Sequence, residues 1–138
     1  MWDQKLSPNT LLSSLWVFVM INFFARGLHE LGRPGMLEQM MSGEVNGVVI
    51  TEGLMLFAGV TFEIPILMVV LSLAVRRGLN RGLNFFAVPA TVTMIVMENL
   101  DPDLDNIFFM VMQIGALLVA FRVAWNWNEE GEHIVARI

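Results

Sequence analysis

Four stretches of apolar chain, residues 11–24, 53–75, 83–97 and 107–125, leave this sequence few ways to fold. A helix rises about 1.5 Å per residue and a hydrocarbon core is about 30 Å thick, so each run can cross, or nearly cross, a bilayer. The third is the shortest, and Phe85, Phe86 and flanking polar residues let it cross with its ends at the interface. The remaining chain is too small to surround these runs with a water-soluble shell: 56% of the 138 residues are hydrophobic, 15% are charged, and the mean hydropathy is +0.64. The sequence therefore predicts an all-α, polytopic membrane protein with the lipid bilayer as its first partner. Its four transmembrane helices fall at about residues 8–31, 51–76, 83–98 and 105–127 of a single domain spanning residues 1–138.

Local signals place the helix ends. In "SPNT", Ser7 can cap and Pro8 can take the first helical position, where no backbone donor is needed. The first run holds Asn22, lacks a strongly basic leader and leads into "ARGLHEL" without a cleavage pattern, so it reads as a retained helix that stops at "GRPG". The following "PGMLEQMMSG" groups Met36, Leu37, Met40 and Met41 on one side, with Glu38 and Gln39 opposite, as expected of a short helix lying on the membrane surface. Thr51 or Glu52 begins the second span, "RRGLNRG" predicts a tight turn, and Asp103 or Asp105 is placed to cap the last helix. Trp125 and Trp127, with Trp2 and Trp16, mark membrane interfaces. Such short connections predict an up-down-up-down bundle, with Ala58, Gly59, Gly115 and Ala116 as points of close helix approach.

The net charge of −5 is informative by position. If both termini share one side, Lys5, Arg76, Arg77, Arg81, Arg122 and Arg137 share it too, and only Arg26 and Arg33 of the eight basic residues lie opposite. Positive charge favours the cytoplasmic side, so the expectation is a multi-pass protein of the cell membrane with both termini in the cytoplasm. The other side carries Glu30, Glu38, Glu44, Glu52, Glu98, Asp101, Asp103 and Asp105, an acidic rim that is either a solvated surface or a means of concentrating cations.

Glu63 lies almost at the middle of its apolar run, two residues before Pro65. An ionisable group at that depth is costly and is a functional-site candidate by default. Asn22 and Gln113 fall about one helical turn from that level, and Thr91 and Thr93 lie near it. Pro65 cannot donate to the carbonyl of Thr61, which adds an acceptor and a hydroxyl beside the carboxyl. Glu63, Thr61, Asn22, Gln113, Thr91 and Thr93 thus make a candidate intramembrane polar site, expected to converge on the bundle axis or on a protomer interface. Glu52, Gly59 and Glu63 share one face of their helix and connect that site to a rim of Glu52, Glu30, His29, Arg26 and Glu98. Either Glu63 exchanges protons or small cations with this rim, or it is a protonated hydrogen-bond donor that holds helices together.

The rim stretch "ARGLHELGR" sets Arg26 and Glu30 at ion-pairing distance along one helix, with His29 as a possible proton relay. No metal site is implied: His133 belongs to the opposite side, the chain has no cysteine, and eleven methionines are ordinary filling for so apolar a chain. "DPDLDN" alternates acids as calcium loops do but lacks the glycine and the distal glutamate. No nucleophile motif or phosphate loop is present, which argues against an enzyme and implies no cofactor, and no basic aromatic surface suggests nucleic acid.

"LHELGRPGMLEQMM", "EIPILMVVLS" and "MQIGALLVAFRVAWNW" together resemble an uncharacterised family of small four-helix prokaryotic membrane proteins known only as a domain of unknown function. The likeness runs from Leu11 to Trp127 and rests on Glu30 with Pro34 and Gly35, on Pro65, Met68 and Ser72, and on Gln113, Trp125 and Trp127. It implies four spans and carries no activity. The functional expectation is an oligomeric protein that passes or couples protons or small cations around Glu63. The alternative is an accessory protein that binds lipid, quinone or a partner helix in a groove rich in Met and Phe.

Overall fold

The computed structural model describes residues 6–100 and 102–127. Trp2, Lys5, Asp101, His133 and Arg137 lie outside the described residues. The described residues fold as five helices and one small hairpin: α1 (Pro8–Leu31), α2 (Met36–Ser42), β1 (Glu44–Val45), β2 (Val48–Val49), α3 (Glu52–Ala74), α4 (Arg77–Glu98) and α5 (Leu104–Asn126). Three of them, α1, α3 and α5, are long and apolar enough to cross a membrane. α4 is of similar length, but its first turns carry Arg77, Asn80, Arg81 and Asn84, which dilute the apolar run that follows.

The caps form where short-range chemistry predicts them. The Ser7 hydroxyl accepts the Thr10 amide at 3.3 Å, with Pro8 in the first turn. Thr51 accepts the Leu54 amide at 3.1 Å, and Asp103 accepts the Asn106 amide at 3.1 Å. Each satisfies a donor that the helix itself cannot.

α1 packs against α3 and α5, and α4 packs against the same two helices. The shared core is built from Leu12, Trp16, Val19, Ile95, Leu117 and their neighbours. α3 contributes least: only Pro65, Met68 and Ser72 are buried, and residues 51–60 are exposed throughout. It is therefore held by its second half and stands clear of the other helices in its first.

Three local expectations are corrected, and one element is additional to them. The "RRGLNRG" stretch is the first part of α4, with the change of direction confined to Val75 and Arg76. It is helical because Asn80 and Asn84 are fully buried and satisfied: Asn80 donates to the Ser72 carbonyl at 2.7 Å, and Asn84 donates to the Asn80 carbonyl and side chain at 2.9 and 2.8 Å. Trp16 is a core residue, not an interfacial one, and donates to Asn84 Oδ1 at 2.9 Å. Gly59 and Gly115 are not close-approach points, since a Cβ on either would meet nothing within 4 Å. Finally, an antiparallel hairpin pairs Glu44 with Val49 and Val45 with Val48. Its central Asn46 and Gly47 have φ of 50° and 80°, the backbone that primed hairpin turns require.

Candidate functional site

The six polar residues expected near mid-span do not meet within the chain. Asn22, Thr61 and Thr93 each turn back on their own helix, donating to the carbonyl four residues earlier: Phe18 at 2.9 Å, Phe57 at 2.8 Å and Pro89 at 2.9 Å. Such a bond lets a small polar side chain face an apolar medium without a partner on another helix. Thr91 and Gln113 are buried instead, each 1% exposed, on two helices, α4 and α5, that pack against each other. Glu63 lies on the exposed face of α3, with no hydrogen-bond or ionic partner among the described residues.

Glu52 and Gly59 share that exposed face. The stripe of Glu52, Gly59 and Glu63 is present as helix geometry predicts, and it is turned away from the other helices of the chain. Pro65, two residues after Glu63 and so about half a turn round the helix, is buried on the packed side of α3.

The acidic end of the molecule is closed by a network across three helices. Arg26 of α1 donates from Nε to Asn106 Oδ1 and from Nη1 to Glu98 Oε2, both at 2.8 Å. Asn106 passes the connection back to α1 by donating to Glu30 Oε1 at 2.7 Å. Glu30 also accepts from Arg33 at 2.9 Å, Arg33 lies 3.6 Å from Asp103, and His29 Nε2 lies 2.8 Å from Asp105 Oδ2. The anticipated pair of Arg26 with Glu30 along one helix is replaced by Arg26 with Glu98 of α4 and Glu30 with Arg33. A tertiary carboxylate that also aligns with Asn106 outcompetes a neighbour one turn away.

Electrostatics at this end follow the contacts. The Asn106 backbone amide is the chief cause that holds the Asp103 carboxyl below the ordinary carboxylate range, and Arg33 adds to it. The hydrogen bond and charge of Glu30 raise the Arg33 guanidinium. Among the described residues no group of three or more His, Cys, Asp or Glu side chains has metal-binding geometry.

Two apolar grooves flank the free half of α3. One of about 370 Å³ lies against α4, lined by Phe57, Phe62, Met94 and Met97, with Thr61, Thr93 and Glu98 as its polar members. The other, about 480 Å³, lies against α1 between Phe23, Leu28, Met40, Phe62 and Ile66.

Sequence reasoning overlooked Asn106, Asn80, Asn84 and Ser72. Asn106 had a usable signal, because it stands three residues after its cap Asp103 and so faces the end of α5 where the rim lies. Asn80 and Asn84 had one too: a spacing of four on an apolar background describes one helix face. No curated protein and no solved structure matches this chain. Residues 1–133 match the model of a family of unknown function, DUF6326, and the chain belongs to that family.

Proposed function

We propose that this is an oligomeric membrane protein whose four long helices all span the bilayer, and that it passes or couples protons or small cations at Glu63. The observation that carries this reading is the exposed carboxyl of Glu63, halfway along a helix of which only three residues are buried. An ionisable group facing lipid at mid-span costs several kcal/mol, a cost that a second copy of the chain meeting this face would relieve. Glu52, on the same face, supports an approach from the acidic rim, where Glu30, His29, Arg26 and Glu98 cluster.

The fourth span rests on the direction its polar residues take. Asn80 and Asn84, which dilute the hydropathy of α4, point inward and are satisfied there, while Leu79, Phe86 and Val96 face outward. The surface offered to lipid is thus more apolar than the composition of the helix. An up-down-up-down bundle in a single domain follows from the short connections, and Arg76, Arg77 and Arg81 at one end favour cytoplasmic termini. The test is flux: vesicles reconstituted with the protein are expected to pass protons or monovalent cations, and Glu63→Gln to reduce that flux at least tenfold. Vesicles that show no flux, or flux indifferent to Glu63→Gln, overturn the reading.

The groove of about 370 Å³ between α3 and α4 favours a second reading, an accessory protein that holds a lipid, a quinone or a partner helix. Its apolar walls, with few polar members among them, suit an amphipathic occupant. Native mass spectrometry of gently extracted protein should then show a retained apolar species, and its repeated absence would remove this alternative.

A further inference from the structure

Thr91 Oγ1 and Gln113 Nε2 are buried with no hydrogen-bond partner among the described residues. They lie at the same depth. Arg26 joins Glu98 of α4 and Asn106 of α5 at one level, and Thr91 and Gln113 are each seven residues further from that level along their own helices. At 1.5 Å per residue both stand about 10 Å below the Arg26 network, on two helices in contact. They do not bond each other, and each residue is only 1% exposed.

A buried donor without a partner costs about 1–3 kcal/mol, and two on facing helices at one depth define a site for something that bonds both. Ala87 and Ala116, one turn from Thr91 and Gln113 on the same faces of their helices, are short side chains, and they belong with Val19, Ile95 and Leu117 to one buried core. A small hydrogen-bonding molecule suits a polar pair in such an apolar, closely packed interior.

We propose that Thr91 and Gln113 together bind an internal water molecule in the middle of the membrane span, bridging α4 to α5. Water supplies the two or more bonds that a buried water normally makes. Gln113 donates to its oxygen, and the Thr91 hydroxyl donates to it or accepts from it. This site is separate from Glu63, which faces out of the chain, and it stands whether or not Glu63 conducts.

Water-edited solid-state NMR on the full chain in lipid vesicles tests it, with side-chain amides labelled. Magnetisation from water is expected to reach the Gln113 amide as early as that of the half-buried Gln39, and several-fold earlier than that of Asn84, which is fully buried and bonded to protein atoms. A Gln113 signal that builds only as slowly as that of Asn84 overturns the proposal. Thr91→Val should slow the Gln113 build-up several-fold, and Thr93→Val, whose hydroxyl serves its own helix, should not. Equal build-up in Thr91→Val and the unaltered chain also overturns the bridge. If Thr91→Val does not fold, the comparison of Gln113 with Asn84 in the unaltered protein still decides.

Discussion

The indole of Trp16 donates to the side-chain oxygen of Asn84 across 2.9 Å, joining α1 to α4, although both helices make their main contacts with α3 and α5. Asn84 in turn donates to Asn80, and Asn80 to the Ser72 carbonyl at the end of α3. One chain of bonds therefore crosses three helices in a region closed to solvent. In so apolar an interior the alternative for each of these groups is to go unpaired, which is what gives the chain its directing power.

Asn84→Leu is expected to lower stability by about 1–3 kcal/mol, because it strands the Trp16 N–H and one Asn80 bond while adding apolar bulk. Trp16→Phe should cost less than Asn84→Leu, since it removes donor and leaves an acceptor that still has Asn80 nearby. Reversible unfolding in mixed micelles, followed by tryptophan fluorescence for the first and by circular dichroism for both, measures the difference. Equal effects of the two would argue that packing, not bonding, dominates here.

Arg26 ties the far end together through Asn106 and Glu98, and its side chain is 14% exposed. Arg26→Gln should destabilise by about 1–3 kcal/mol, a charged hydrogen bond partly discounted for the exposure of Glu98. Arg33→Gln, at an exposed pair, is expected to cost less than Arg26→Gln. Thermal unfolding of both variants in the same detergent gives the ranking, and the reverse order would show that Glu30 and Asp103 anchor this end instead.

What could be read from the chain beforehand follows the range of the interactions. Ser7, Thr51 and Asp103 were legible as caps because each acts on an amide three residues away. The direction Glu63 faces was not, because α3 is apolar all round and its pattern has no phase that distinguishes inside from outside. The pairing of Arg26 with Glu98 joins residues 72 apart, and a nearer acid, Glu30, offered itself first. Asn80 reads as part of a turn because of the glycines around it in "RGLNRG", yet its spacing of four from Asn84 describes one buried face. The Asn46–Gly47 turn carries a strong short hairpin signal, but its strands are only two residues long, too short to show an alternating pattern.

Acid should loosen the end of the molecule that Asp103 caps. Its carboxyl titrates lower in the folded chain than it would unfolded, so its stabilising contribution is complete above the unfolded value of about 3.9 and is lost as pH falls through the lower folded value. Asp103→Asn keeps a capping oxygen but has nothing to protonate. Between pH 5 and pH 3 the unaltered protein is expected to lose melting temperature more steeply than Asp103→Asn. Parallel slopes would mean that the amide of Asn106 and the charge of Arg33 contribute no linkage.

Gly59 separates the folding of the chain from its proposed assembly. A Cβ at this position meets nothing within 4 Å, so Gly59→Leu introduces no clash in a single copy and improves helix propensity by up to about 1 kcal/mol. On the proposed oligomer the same change places a bulky side chain one turn from Glu63, in the middle of the α3 face that would meet another copy. Gly59→Leu should then retain helical content and melting temperature but shift the protein to a smaller assembly in lipid nanodiscs or by cross-linking in vesicles. Glu63→Leu should act in the same direction by deleting a hydrogen-bonding group, and Glu63→Gln, which can still pair with its own copy, should act least. An assembly unchanged by Gly59→Leu would place the subunit contact elsewhere and leave Glu63 facing lipid.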